Sequence, residues 1–387
     1  MDFALSEEQK MFRAMFEDFS TNEIAPVAEE LDHEEKPPVA VLRKAARQGF
    51  LGATLPEEHF GADLDFVSYV LLIEALARDC VSVAVTLGTH ISLVAMAILD
   101  YGDDAQKEEF LPLLASGEAL GAFGMTEPDA GSDTTVLQTR AIQDGDEIIL
   151  DGVKTWVANG EFPESGVDTL FLVLAQTSEG VTAFLIPRDT PGLTVGYREP
   201  TLGLRSVPFH TIYLEACRVP VANRLGNHGQ GQEIAEKAQQ RMAITLGAAG
   251  LGVAADSLDV AAQFATERVQ FGVPIAEKQA IQNFIAESAA EIEALRYLVY
   301  HGAWQADQGE DLSFDASVVK AYAARVARSV TDRMVQVMGG YGYMEDYPMA
   351  RKYRDARALS LAGGPTELHH VRIARNVFAQ WDVDITP

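Results

Sequence analysis

Twice along the chain the spacing of apolar residues changes period, and that double change constrains the fold more than any other feature. From the start to about residue 120 the pattern is helical. It begins at Ser6, an N-cap residue type with Gln9 three positions on, and continues through Met11, Phe12, Met15, Phe16 and Phe19. Pro26 and the Pro37-Pro38 pair punctuate it, stretches 70–76 and 91–99 are rich in Leu, Ala and Met, and Tyr101-Gly102-Asp103-Asp104 reads as a helix stop followed by a new start. Between roughly 121 and 225 the period falls to two. Asp144-Gly145-Asp146 is a hairpin turn between 137–142 and 147–150, Asp151-Gly152 is a further turn, and 170–174, 182–186 and 210–214 are strands joined by Pro-rich connections. After Gly226-Asn227-His228-Gly229-Gln230-Gly231 the helical period returns. Ile281, Phe284, Ile285, Ile292, Leu295 and Val299 form one stripe, and Val319, Tyr322, Val326, Val330, Met334 and Val337 another.

Helix, sheet, helix without strand–helix alternation argues against Rossmann and TIM architectures. The expected fold is α+β and multi-domain. An N-terminal all-α domain spans 1–120, a compact β domain of barrel-like or sandwich form spans 121–228, and a C-terminal four-helix bundle spans 229–387. The 387 residues exceed what a single core serves, which fits two or three domains.

A formal net charge of −27 repels phosphate backbones and anionic membrane surfaces, so neither nucleic acid nor membrane is an expected partner. A phosphate-bearing ligand must find a local basic site. Residues 1–120 carry a net −15, whereas 320–375 carry +5. That basic surplus is either a solvated face with ion pairs, the commoner case, or the seat of a phosphate-rich ligand. Cys80 and Cys217 belong to no CxxC or Cys/His cluster, so neither a disulfide framework nor a metal site is expected, and a reducing compartment fits. The N-terminus lacks a basic region followed by an apolar stretch, and no window reads as an uninterrupted membrane span; the expectation is a cytoplasmic protein.

The densest chemical signal is Gly124-Met125-Thr126-Glu127-Pro128-Asp129-Ala130-Gly131-Ser132-Asp133, where helix gives way to sheet. Its small residues, hydroxyls and proline suit either an ordinary capped turn or a loop that lays backbone N–H groups against a polar ligand. The run Thr-Glu-Pro-x-Ala-Gly-Ser-Asp resembles a signature of the acyl-CoA dehydrogenase family. Further segments agree in that family's order: 151–160 (Asp-Gly-Val-Lys-Thr-Trp-Val-Ala-Asn-Gly), 267–272 with Gln279, 336–343, and Arg354-Asp355-Ala356.

The resemblance covers essentially the whole chain and implies a flavoprotein oxidoreductase of fatty acid metabolism, a homotetramer with FAD between the β domain and the C-terminal helices. It implies that Phe123, Met125 and Thr126 line the isoalloxazine, with Thr126 on the pyrimidine edge, that Trp156 packs by the flavin beside Ala158, and that Ser132 approaches the phosphopantetheine or phosphate part of the ligands. Arg268, Phe271, Gln279, Gln336 and Gly340 would come from a neighbouring copy, Arg268 reaching the FAD pyrophosphate. Arg241 resembles the arginine that orients the thioester, against the alternative of a surface ion pair with Glu233 or Glu236. Trp156 as a core-filling strand residue is the competing reading. The implied reaction is α,β-dehydrogenation of an acyl-CoA or related thioester, with electrons passing to an electron-transfer flavoprotein or similar acceptor.

Three positions depart from the family pattern. Gly363 stands where most members carry the Glu that removes the α-proton, Gln240 where a minority carry it, and Ala158 where many have Thr or Ser. Glu367 and Glu236, each one helical turn away, are the candidate displaced bases. Alternatives are an elimination of the desulfinase kind or a silent subunit paired with an active homologue. His90 reads as a helix-end or packing residue in preference to a base, and His369-His370 as solvated helix residues.

Overall fold

The computed structural model describes residues 4–162 and 165–381. Seven helices come first: α1 (Glu7–Phe19), α2 (Ala28–His33), α3 (Val39–Arg47), α4 (Phe66–Asp79), α5 (Val81–Gly88), α6 (Met96–Tyr101) and α7 (Asp104–Ser116). Helix α1 starts in a capping box, Ser6 accepting from the Gln9 N–H while the Gln9 side chain accepts from Ser6. Asp103 and Gln106 repeat the device at α7. Of the first apolar stripe Phe16 and Phe19 are buried, whereas Met11 and Met15 are exposed. Between α5 and α6, Thr89–Ala95 is a π-helical stretch inside what the sequence reads as plain helix.

Eight strands follow: β1 (Ala119–Gly124), β2 (Arg140–Asp144), β3 (Glu147–Val157), β4 (Asp168–Thr177), β5 (Gly180–Pro187), β6 (Leu193–Arg198), β7 (His210–Pro220) and β8 (Arg224–Leu225). They form one sheet in the order β6-β7-β3-β2-β4-β5-β8, with β1 parallel to β4. Asp144 pairs with Glu147 across a two-residue turn, as the Asp-Gly-Asp signal requires. Asp151-Gly152 is no turn: β3 runs through it and shifts register against β7. A Cβ on Gly152 would lie 2.4 Å from the Thr139 hydroxyl oxygen, so only glycine fits that irregularity. Strand β4 is apolar without alternation because both its faces are buried. Leu170, Leu172 and Leu174 pack with Ile98, Phe110 and Leu114 of the N-terminal helices, while Phe171, Val173 and Ala175 pack with Ile212 and Leu214 of β7.

The chain then enters α8 (Gly231–Glu267), a short antiparallel ribbon of β9 (Val269–Gln270) and β10 (Val273–Pro274), α9 (Gln279–Asp307), α10 (Ser313–Met338), α11 (Gly340–Tyr343), α12 (Met349–Ala358) and α13 (Thr366–Ala379). Helix α8 packs on both α4 and α10, with glycine at the tightest points. A Cβ on Gly252 would sit 2.2 Å from the Glu74 carbonyl oxygen, and one on Gly247 would sit 2.3 Å from Val319. Both α8 and the Val81–Tyr101 stretch are long and apolar enough to cross a membrane, which corrects the expectation that no window approaches a span. Both are largely buried within the fold, where such composition serves the core.

Candidate functional site

The Thr126–Asp133 loop is anchored from beneath. Glu127 is buried, and its carboxylate accepts the N–H groups of Gln138 (2.6 Å) and Thr139 (3.0 Å) and the Lys154 ammonium (2.7 Å), which also donates to the Met125 carbonyl at 3.2 Å. Burial pushes the Glu127 carboxyl up, but the hydrogen bonds from Lys154, Thr139 and Gln138 and the Lys154 charge together outweigh it, leaving the group below its ordinary value. The Thr155 N–H donates to the Thr126 carbonyl at 2.9 Å. Loop and strand β3 are thereby fixed together, and Trp156 emerges at a left-handed φ of 55° with 66% of its surface exposed. The core-filling alternative for Trp156 is excluded. On the same loop and strand ends Phe123, Met125, Thr126 and Ala158 are half-buried and Ser132 is exposed. The Thr155 hydroxyl is buried without a partner. An open indole beside an unsatisfied hydroxyl fits a broad, apolar ligand with a polar edge.

A second group gathers on the C-terminal helices. Phe271 and Gly272, both at positive φ, form the tip between β9 and β10, and Phe271 is 94% exposed. The Arg268 guanidinium lies 5.4 Å from the ring centre of Tyr341, the residue after Gly340, while Lys278, preceding Gln279, lies over the Phe271 ring. Arg268, Gln279, Gln336 and Gly340 are all exposed. Among the described residues no hydrogen bond or ion pair joins this group to the one around Trp156.

Helix α8 crosses the loop. Gln239 donates to the Met125 sulfur at 3.2 Å, and Gln232 meets the Thr134 hydroxyl at 3.3 Å. Arg241 pairs with Asp100 of α6 at 2.5 Å, and not with Glu233 or Glu236. Gln240 is half-buried. Glu236 is exposed and accepts from Gln232 at 3.0 Å. The Thr245 hydroxyl donates to the Arg241 carbonyl and continues through Ser92 to Tyr69 in a buried hydroxyl chain of 2.9 and 3.0 Å links.

At the α12–α13 turn, Gly363 and Gly364 have φ of 67° and 94°. A Cβ on Gly363 would lie 2.8 Å from Leu246 of α8, so an apolar side chain fills the direction in which a longer residue would project. The turn is held by its carbonyls. Lys320, buried, donates to Leu359 (2.7 Å) and Gly364 (3.3 Å), and His369 Nε2 donates to Gly363 at 3.0 Å. His369 is 2% exposed, which overturns its reading as a solvated residue; His370 does face solvent. Burial pulls the His369 imidazole down to about 4 and the Lys320 ammonium to about 8. Glu367 is exposed at the start of α13. Sequence reasoning placed His369 in solvent and missed Lys320, for which the available signal was a lysine set among the apolar positions of α10.

His90 is a packing residue, as expected. Its Nδ1 accepts the Gly121 N–H at 3.0 Å, its Nε2 donates to the Leu51 carbonyl, and burial pulls it to about 4. Cys80 and Cys217 are buried and free.

Residues 6–118, 122–217 and 229–378 match the acyl-CoA dehydrogenase N-terminal, middle and C-terminal domains in turn. The chain is 36% identical over 383 residues to the short-chain specific acyl-CoA dehydrogenase of Clostridium acetobutylicum, covering 98% of this chain and 100% of that protein. Its fold superposes with a TM-score of 0.94 on butyryl-CoA dehydrogenase from Megasphaera elsdenii, at 35% identity, covering 98% of this chain and 100% of that one. An acyl-CoA dehydrogenase from Bacillus anthracis complexed with FAD gives a TM-score of 0.91 at 32% identity, over 98% of this chain and 68% of that one.

Proposed function

Because the chain belongs to the acyl-CoA dehydrogenase family, we propose that it is an FAD-dependent oxidoreductase acting on an acyl-CoA or related acyl thioester. The observation that carries this reading is the exposed Trp156 indole, presented at a left-handed backbone position over a loop pinned by the buried Glu127–Lys154 pair. Trp156, Met125, Thr126 and Phe123 would hold the ring system of FAD, and the exposed Arg268, Phe271, Gln279, Gln336 and Gly340 of a second copy would close over its phosphates in a tetramer. Bound flavin supplies the acceptor for the hydride that leaves the acyl β-carbon. Residues of this chain exclude water around the ring, orient the thioester through Arg241 and Ser132, and accept the α-proton. Electrons then pass to an electron-transfer flavoprotein or similar soluble acceptor, in the cytoplasm.

The proton acceptor is the departure. Gly363 offers no side chain and a Gln240 amide takes no proton at neutral pH, which leaves Glu236 and Glu367 as the displaced bases of this reading. Glu236 is favoured by its place on α8 beside the Gln232–Thr134 contact. Purified holoprotein should show bound flavin, and anaerobic addition of an acyl-CoA panel should bleach it with at least one member. Glu236→Gln is expected to abolish bleaching while Glu367→Gln retains it; unchanged turnover in both variants rejects displaced-base dehydrogenation.

A second reading follows from the Leu246 side chain filling the direction of a Gly363 Cβ. With that place apolar, the flavin protein would catalyse an elimination on the thioester or serve as a silent partner of an active homologue. Product release without bleaching marks the first case, and co-purification of a Glu-bearing homologue marks the second.

A further inference from the structure

Helix α6 meets α8 along one ladder of polar contacts. Glu233, Lys237 and Arg241 recur at four-residue intervals on a single face of α8, and all three turn to Asp100 and Tyr101, the last two residues of α6. The Tyr101 hydroxyl donates to Glu233 at 3.1 Å. Lys237 lies 3.4 Å from the Asp100 carboxylate and over the Tyr101 ring, and Arg241 donates to Asp100 at 2.5 Å. One carboxylate therefore serves two cations that would otherwise repel each other.

The two cations are not equivalent. The Lys237 side chain is 50% exposed, whereas that of Arg241 is 12% exposed. Arg241 uses one N–H on Asp100, and its remaining side-chain donors find no acceptor among the described residues. Its backbone is fixed as well, because its carbonyl accepts the Thr245 hydroxyl, which is joined through Ser92 to Tyr69. Two positions earlier on α8, Gln239 reaches the Met125 sulfur of the loop beneath Trp156. A guanidinium gripped at one corner, with its other donors free, on the stretch of helix that crosses this loop is arranged to offer those donors to a ligand.

We propose that Asp100 is the positioning residue for Arg241 in thioester binding, an assignment that rests on the thioester reading above. Asp100 itself touches no substrate in this role. It holds the guanidinium in one orientation before the ligand arrives, so the freedom of a long side chain is already lost when the thioester binds. The grip depends on both charge and reach. Asparagine at this place keeps the shape and loses the charge that draws Arg241 and Lys237 together, while glutamate keeps the charge and displaces the guanidinium by the length of one methylene.

Titration of the flavin-loaded protein with butyryl-coenzyme A and with octanoyl-coenzyme A, followed by flavin absorbance and by anaerobic bleaching, tests this. Asp100→Asn is expected to raise the dissociation constant and KM of whichever binds by about tenfold, with a smaller fall in kcat and the bound flavin retained. Asp100→Glu preserves an ion pair between α6 and α8, so its melting midpoint should stay near wild type while affinity still falls. Tyr101→Phe removes a hydrogen bond of the same ladder without touching Arg241 and should leave affinity unchanged. Adding Asp100→Asn to Arg241→Gln should weaken binding no further than Arg241→Gln alone, because the first acts through the second. Wild-type affinity in both Asp100 variants overturns the assignment. So does an equal loss in Tyr101→Phe, which would reduce the ladder to a pin between two helices, and so does additivity in the double variant. Failure of the flavin-loaded wild type to bind either thioester would instead remove the thioester reading itself, and this assignment with it.

Discussion

Helices α12 and α13 follow each other in sequence and are both rich in cations, yet among the described residues only α12 places any of them in ion pairs; its Arg351 and Arg357 have none. On α12, Lys352 and Arg354 enter tight pairs with Asp256 and Asp32, stitching the C-terminal helices to α8 and to the N-terminal domain. On α13, Arg372 and Arg375 have no such partner among the described residues. A cation with a carboxylate at hydrogen-bond distance contributes to the fold; a half-dried cation without one costs it. The contrast extends to the β domain, where Lys154 with Glu127 is the most deeply buried pair of the first kind.

Breaking that pair should have the largest effect. Lys154→Met leaves the Glu127 carboxylate buried against two backbone N–H groups alone, and is expected to cost about 3–5 kcal/mol, with loss of flavin, in chemical denaturation and absorbance measurements. Acidification should come next. His90 and His369 are held near 4 in the fold and 6.5 outside it, so between those values the unfolded chain binds protons that the folded chain does not. Stability is therefore lost as pH falls from about 6.5 to about 4, by an amount of the order of a few kcal/mol. Asp355, raised by burial to about 6, works in the opposite sense between its two values and trims the effect. A His90→Gln protein should show a shallower slope in this window, whatever its absolute stability. Smaller again, Arg354→Gln should cost about 1–3 kcal/mol because Asp32 loses its charged donor. Arg372→Gln should leave the melting midpoint within about 0.5 kcal/mol of wild type or raise it; a loss as large as that at Arg354 would erase the distinction between the two helices.

Much of this was legible in the sequence because it rests on local rules. The Ser6–Gln9 capping box, the Asp144-Gly145-Asp146 hairpin and the stripes of α9 and α10 are set by neighbours within a few positions. What was illegible depends on partners far along the chain. Asp151-Gly152 looked like a turn because the sequence does not reveal Thr139 pressing against Gly152. His369 looked solvated because the carbonyl that takes its proton lies in a preceding turn whose shape two glycines decide. Arg241 was offered Glu233 or Glu236 on its own helix, yet its partner is Asp100, brought in by the packing of α6 on α8. The loop residues around Trp156 were placed by family resemblance, and the structure supplies the physical reason for their arrangement in the buried Lys154.

The glycines of α8 have a consequence for how variation spreads through the molecule. Gly247 and Gly252 set the spacing to α10 and α4 with no room for a methyl group. Gln239, Gln240 and Arg241 stand on the same rigid rod, the last of them about 9 Å along the axis from Gly247. A bulkier residue at either glycine would pry the rod from its bed and swing that trio together, as a lever carries a small displacement at one end into a larger one at the other. Inherited changes deep in the bundle would then surface as altered ligand affinity, and a survey confined to the cleft would never find their source.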